Sequence, residues 1–437
     1  MLADGGNLRQ RHGEKRPHDD EREQRDRADE FSQARRHISG DIRSVAKVGH
    51  STIWSARLRQ AIRPMPADVA EEFHARAIRL WLYGVAGLAL AMVLIGGATR
   101  LTGSGLSITE WQPLVGVIPP LTENEWQAAF AKYQAIPQYR ALNGGMSLGE
   151  FKTIFWWEWT HRLIGRLIGA AFVLPFAWFL LRGRVTPSLR PRLWFIFALG
   201  ALQGAVGWWM VASGLVDRVE VSQYRLATHL ILACLIYVAL LWTAQRLDRP
   251  TNTTHPGRIR AGAAGLLILL LVQIYLGALV AGLRAGYAYN TWPLIDGALV
   301  PDAARLFFDA PLWRNFFENT LTVQFDHRLL AYAIWLGALI HAFDVERTVK
   351  KGTARIGAFV LFTAITLQVA LGIVTLLLRV PLPVALLHQA MAMLALTAAT
   401  VHAANVTRRV IYPLIPAQAG IQSTPPAFVA RSDLTDA

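Results

Sequence analysis

The sequence predicts an all-α membrane protein whose eight transmembrane helices form two pseudo-symmetric four-helix bundles. Three observations predict it. From Ala77 onward, long apolar runs alternate with short polar loops, and about 20 apolar residues suffice to cross a hydrocarbon core of about 30 Å. Arg and Lys gather in every second loop, as they do on the cytoplasmic side of membrane proteins. The second half of the chain repeats the motifs of the first.

The first 76 residues mix both charge signs, as in HDDEREQRDRADE and HISGDIRS, and lack a periodic apolar face. Residues 1–76 are therefore expected to be a disordered cytoplasmic segment. The first apolar run lies too deep in the chain for a cleaved signal peptide and is kept as a span. Met65, just before it, leaves a later start open. Spans are expected at about 77–99, 157–181, 192–213, 226–245, 261–283, 321–343, 354–378 and 384–405. This divides the chain into an N-terminal bundle (77–246), a cytoplasmic linker (247–260), a C-terminal bundle (261–405) and a cytoplasmic tail (406–437).

Orientation follows from the loops. Arg182, Arg184, Arg190 and Arg192 follow the second span, and Arg246, Arg249, Arg258 and Arg260 the fourth. Arg347, Lys350, Lys351 and Arg355 follow the sixth, and Arg408 and Arg409 the eighth. The intervening loops are poorer, with Arg218 and Arg225 after the third span and Arg379 after the seventh. Both termini are thus expected in the cytoplasm, with the chain in the cell inner membrane. The long loops 100–156 and 284–320 then face outward, and their ITEWQPL and YNTWPLI segments suit caps at the interface.

The net charge of +14 does not argue for nucleic acid, because the apolar body has no room for a basic face and excess Lys and Arg report topology. The single cysteine, Cys234, excludes an intrachain disulfide. The CxxCH attachment motif is absent, so any haem would be held without a covalent link.

The repeat is specific. His161 in EWTHRLIGR matches His327 in QFDHRLLAY, and His229 in RLATHLILA matches His388 in VALLHQAMA. Gln203 in QGAVG matches Gln368 in QVALG, and Trp111-Gln112-Pro113 matches Trp292-Pro293. Four spans per copy insert both copies the same way round, related by an axis along the membrane normal.

Ionisable residues inside a membrane are costly and default to function. His161, His229, His327 and His388 fall near the starts of the second, fourth, sixth and eighth spans, which all enter from outside. The four imidazoles should therefore share one depth, one to two turns below the outer surface. They form two pairs, His161 with His229 and His327 with His388. Neutral imidazoles on facing helices can hold haem iron from both sides. A lone intramembrane His is more often a hydrogen-bonded structural residue; four at matching repeat positions reverse that preference. A bare metal site fits less well, since carboxylates are scarce beside them. Arg162 and Arg328 follow two of the histidines and could pair with haem propionates or simply snorkel to headgroups. His341, His402, His74 and His255 are read as structural.

One position breaks the repeat. Glu158 lies three residues before His161, on the same helix face. Its counterpart before His327 is Gln324. A carboxylate there could accept a proton or stabilise positive charge, or it could be an ordinary acid near a helix start. Gln203, Gln273 and Gln368 share a QxxxG pattern with Gly207, Gly277 and Gly372, read mainly as close helix packing.

The segments GGATRLTGSGLSITEWQP, EWTHRLIGR, YRLATHL, NTWPLIDG, QFDHRLLAY and LLHQAM resemble the haem A synthase family, mitochondrial and proteobacterial type, over about 77–405. The resemblance implies oxidation of a ring methyl group of haem O to a formyl group, giving haem A for cytochrome c oxidase. It implies haem b as cofactor in the C-terminal half, on His327 and His388 with Arg328. It implies haem O in the N-terminal half, on His161 and His229 with Arg162, and a catalytic role for Glu158. The outer-loop cysteine pair of some members is missing here, so no mechanism can use it. Expected partners are haem O, membrane lipid, haem O synthase and cytochrome c oxidase assembly factors. Homo-oligomers stay open, and no nucleic acid is expected. The alternatives are a di-haem b electron-transfer cytochrome, which leaves Glu158 without a purpose, and a haem transporter, which would need an inward path.

Overall fold

A computed structural model describes residues 67–112, 115–247 and 254–407. The expected disorder of the N-terminus up to residue 66, Pro113, Arg249, and the tail with Arg408 and Arg409 lie outside the described residues. From Glu71 onward the described residues belong to one compact unit.

Eight helices are long and apolar enough to cross a membrane. They are α1 (Ala67–Leu101), α2 (Leu148–Leu181), α3 (Arg190–Ala212), α4 (Gln223–Arg246), α5 (Gly257–Gly282), α6 (Thr320–Thr348), α7 (Thr353–Leu377) and α8 (Leu382–Val406). Among the described residues there is no β-strand beyond an isolated bridge between Ile295 and Ala298. The chain is a multi-pass, all-α membrane protein.

Two helices start earlier than their apolar runs. α1 is already helical at Ala67, inside the segment expected to be disordered. α2 begins at Leu148 because Ser147 and Glu150 form a reciprocal capping box: Glu150 N donates to Ser147 Oγ, and Ser147 N donates to Glu150 Oε2 at 2.8 Å. The added turns bury Phe151 and Phe155 against Trp126 and Tyr133 of the outer-loop helix Glu123–Gln134. Hydropathy reads only the part of a helix that meets lipid, so these turns above it escape notice. His161 is therefore the fourteenth residue of its helix and not near its start.

In the second half, α5 packs on α6, α6 on α7, α7 on α8 and α8 on α5, closing a four-helix ring. In the first half, Trp81 of α1 donates to Ala171 O of α2 at 2.8 Å, and Phe176 of α2 meets Trp194 of α3 at 5.1 Å between ring centroids. α3 packs on α4, and Gln245 of α4 returns to Tyr83 of α1 at 2.9 Å. These contacts are compatible with two four-helix bundles. α4 meets α5 and α8 between them, where the Tyr237 and Thr397 hydroxyls share a 2.7 Å hydrogen bond.

The outer surface adds charged ties between the halves. Glu220 bridges Arg100 of α1 and Arg284, which follows Leu283, the C-cap of α5. Glu318 accepts from Tyr224 of α4 at 2.8 Å and from Arg314 at 2.6 Å. The Arg314 contact first, then Tyr224, holds the Glu318 carboxyl below its ordinary pKa.

Candidate functional site

Among the described residues one local unit recurs at six histidines: His161, His229, His327 and His388, and deeper in the second bundle His341 over Gly262 and His402 over Gly357. An even-numbered helix supplies a histidine, and the preceding odd-numbered helix supplies a glycine beneath the imidazole. A methyl group at Gly96, Gly207, Gly277 or Gly372 would lie 3.1, 2.9, 3.2 or 3.0 Å from the ring of His161, His229, His327 or His388 respectively. Only hydrogen lets the helices approach so closely.

Three units also carry a glutamine one turn before the glycine. Gln203 Nε2 donates to His229 O at 3.1 Å and lies 3.3 Å from His229 Nδ1. Gln273 Nε2 donates to His327 O at 2.9 Å and lies 3.1 Å from His327 Nδ1. Gln368 Nε2 lies 3.4 Å from His388 Nε2. The Oε1 atoms of all three glutamines are buried without a partner, as is His388 Nδ1. Three of the four imidazoles stand beside a glutamine amide nitrogen that orients the ring, and paired, oriented imidazoles fit haem iron. The QxxxG glutamines, read from sequence as packing, thus stand against the histidines. Their constant phase to the histidines was the available signal. The His161 unit departs from the pattern, because Met92 occupies the glutamine's place before Gly96.

Depth is set by contacts across the bundles. Gly96 underlies His161, and its neighbour Gly97 receives Gln389, which follows His388. On the other side, Gly277 underlies His327, while Leu230, which follows His229, packs into the cluster of Ala227, Ala278, Leu279 and Val323. Each histidine of one bundle is therefore level with a histidine of the other.

Glu158 is 2% exposed. Its Oε1 accepts from Arg162 Nε at 3.0 Å and Nη2 at 2.5 Å, and its Oε2 accepts from Ser107 Oγ and Ile108 N, both at 2.8 Å. Arg162 also donates to Glu110 O at 2.8 Å and to Ile108 O at 2.6 Å. Its guanidinium is spent on the carboxylate and the outer loop, a use beyond both propionate pairing and snorkelling. At the matching place Gln324 Nε2 donates to Tyr289 O at 2.8 Å and Arg328 donates to Tyr289 O at 3.2 Å and Leu294 O at 3.3 Å. Each half thus pins its outer loop over its histidine pair, the first through an ion pair and the second through a neutral amide. Ser107 and Ile108 carry no sequence period that would have exposed their part.

Deeper in the second bundle, His341 Nε2 lies 2.8 Å from His402 Nε2. The exposures are 7% and 0%, and buried side chains such as Leu266, Ala338, Leu396 and Ala399 surround the layer. A closed, packed pair leaves no room for a macrocycle. Replacing either with Leu should cost about 1–3 kcal/mol by orphaning the other, and the double replacement should cost less than the sum of the two. Unfolding of the four proteins in detergent measures this; strict additivity would show the bond to be energetically empty.

Intramembrane imidazoles level with one another in two helical rings define a class, the multi-pass membrane proteins built to grip haem between helices. Residues 79–400 match the COX15-CtaA family of cytochrome oxidase assembly proteins. The chain is 60% identical over 324 residues to the haem A synthase of Rhodopseudomonas palustris (strain TIE-1), covering 74% of this chain and 87% of that one. It is 59% identical over 334 residues to the haem A synthase of Bradyrhizobium diazoefficiens, covering 76% and 92%, and 56% identical over 345 residues to that of Bradyrhizobium sp. (strain BTAi1), covering 79% and 95%. The chain belongs to the haem A synthase family. These matches give the di-haem cytochrome alternative no support.

Proposed function

We propose that this protein is a haem A synthase that oxidises one ring methyl group of haem O to a formyl group, with haem b as its resident cofactor. The observation that carries this reading is Glu158: where the second site has Gln324, the first has a carboxylate that is 2% exposed, while the second site's Asp326 is only half-buried. His161 and His229 hold haem O in the first bundle; His327 and His388 hold haem b in the second, with Arg328 fixing the loop above it. Bound haem b supplies an electron relay.

The chain's own residues do the rest. Arg162 pairs with Glu158 and pins Ile108 and Glu110 over the site. Methyl to formyl is a four-electron oxidation that gains one oxygen atom, so an oxygen donor and an electron acceptor must come from outside the chain; after two hydroxylations the geminal diol loses water to give the aldehyde. Glu158 Oε2 takes up a proton as Ser107 turns its hydroxyl away, and the carboxylate offsets positive charge developing on the substrate. His161 lacks a glutamine partner, having Met92 in its place. A less constrained ligand suits a site that must exchange substrate for product. The loops poor in Arg and Lys, and with them both sites, lie on the outer side of the inner membrane, with the termini in the cytoplasm. Haem O synthase and cytochrome c oxidase assembly factors are the partners this activity requires for supply and delivery.

Expression with a haem O supply, followed by chromatography of extracted haems, tests the reading. Haem A together with haem b is expected. Haem b alone beside unconverted haem O would overturn it.

A further inference from the structure

The two bundles meet along two seams related by the repeat, α8 against α1 and α4 against α5. They are built differently. At the α8–α1 seam, Gln389 Nε2 donates to Val93 O of α1 at 2.8 Å. Its side chain fills the space beside Gly97: a methyl group there would overlap Gln389 Oε1 and lie 2.7 Å from Gln389 Cδ. At the α4–α5 seam the matching positions are Leu230 and Ala278, both in one apolar cluster. At the level of the histidines one seam is keyed by an amide in a glycine notch and the other is apolar, its own glycine contact, the stem of Gln223 on Gly282, lying at the helix ends.

The key sits between the two sites. Gln389 directly follows His388, and Gly97 directly follows Gly96, the residue beneath the His161 ring. Successive glycines of α1 therefore serve different bundles, the first its own imidazole and the second the amide from across the seam. A hydrogen bond to a main-chain carbonyl fixes the height of α8 on α1 in a way that apolar side chains cannot, because the amide has one partner at one level. Any slip of that contact moves His388 relative to His161.

We propose that Gln389, seated in the Gly97 notch, is a positioning residue that fixes the separation of the substrate and cofactor sites and thereby the electron exchange between them. The proposal rests on the assignment of His161 to substrate and His388 to cofactor. Electron exchange falls steeply with distance, so a change in the separation of the two sites changes its rate.

The test uses the full chain with haem O supplied and four proteins: wild type, Gly97→Ala, Gln389→Ala and the double variant. Two quantities are read beside total haem content: the rate of haem A formation, and the bisignate Soret circular dichroism that arises when two haems couple at fixed spacing and angle. Gly97→Ala should keep both haems, change the coupled Soret signal and slow the reaction at least about tenfold. Gln389→Ala removes the key without crowding, so it reports on the contact even if Gly97→Ala fails to accumulate. It should change the signal and slow the reaction as well. In the double variant the added methyl has nothing to strike, so signal and rate should return to the Gln389→Ala level. A purely structural contact would change protein yield and leave the Soret coupling of the folded fraction untouched.

The proposal is overturned if Gln389→Ala binds both haems with wild-type coupling and rate, or if the double variant departs from the Gln389→Ala level. Failure of the underlying assignment looks different: His388→Ala would then retain haem b, or His161→Ala would retain haem O, whatever the Gln389 variants do.

Discussion

Glu158→Gln protein should bind haem b with an unchanged spectrum, accept haem O and form haem A at least about 100-fold more slowly. The substitution keeps size and removes one charge. Three consequences follow from the contacts. The amide oxygen can still accept from Arg162, but the ion pair becomes a neutral hydrogen bond. The amide nitrogen then faces Ser107 Oγ and Ile108 N, where the carboxylate had accepted both. The Ser107 hydroxyl can rotate to accept, whereas the Ile108 N–H is left pointing at another donor. And the group can no longer take a proton.

The second bundle shows that glutamine is tolerated at this place. Gln324 holds its loop by donating to Tyr289 O, so the fold does not require a carboxylate before a histidine of this kind. Comparison with Glu158→Ala separates charge from packing. Removing one partner of a buried pair leaves the other uncompensated at a cost of about 3–5 kcal/mol, so the alanine variant should lose protein as well as activity. Normal haem A formation by the glutamine variant would show that Glu158 holds the outer loop and does nothing else.

What the sequence discloses here divides along physical lines. Lipid imposes composition, so the eight spans and their alternation with basic loops are plain in it. Coordination imposes residue type, so the four histidines stand out where almost no other ionisable side chain is tolerated. Contacts that use main-chain atoms leave little trace. The extension of α2 above its apolar run comes from Ser147 and Glu150, two ordinary polar residues whose meaning lies in a capping box. Arg162 donates to the Ile108 and Glu110 carbonyls, contacts that no sequence pattern discloses because they lie in a loop about fifty residues earlier. The glutamines were visible as a pattern, but the pattern does not say which imidazole each amide meets. Gln389 and Gly97 are further apart still, joined across nearly the whole folded chain, and only the packed bundle puts them together.

Alanine variants of the histidines should fall into two groups. His327→Ala and His388→Ala should lose most of the resident haem b and with it haem A formation. His161→Ala and His229→Ala should retain haem b near one equivalent yet fail to hold haem O. The grouping follows from geometry. Each imidazole is packed on a glycine of its own bundle, so losing one ring opens a gap at one site and leaves the opposite bundle's unit intact. Within a group the members should differ in degree. His327 has a glutamine that both binds its main-chain carbonyl and lies 3.1 Å from its ring. His388 meets its glutamine only at 3.4 Å, through the ring alone. The imidazole left behind in His388→Ala is thus the better supported of the two, and that variant should keep a larger residue of weakly held, five-coordinate haem than His327→Ala does. Reduced-minus-oxidised spectra and extracted haem measured on all four variants read both levels. If His161→Ala lost haem b while His388→Ala kept it, the halves would have exchanged roles, and Glu158 would then stand beside the cofactor and not beside the methyl group it is meant to help oxidise.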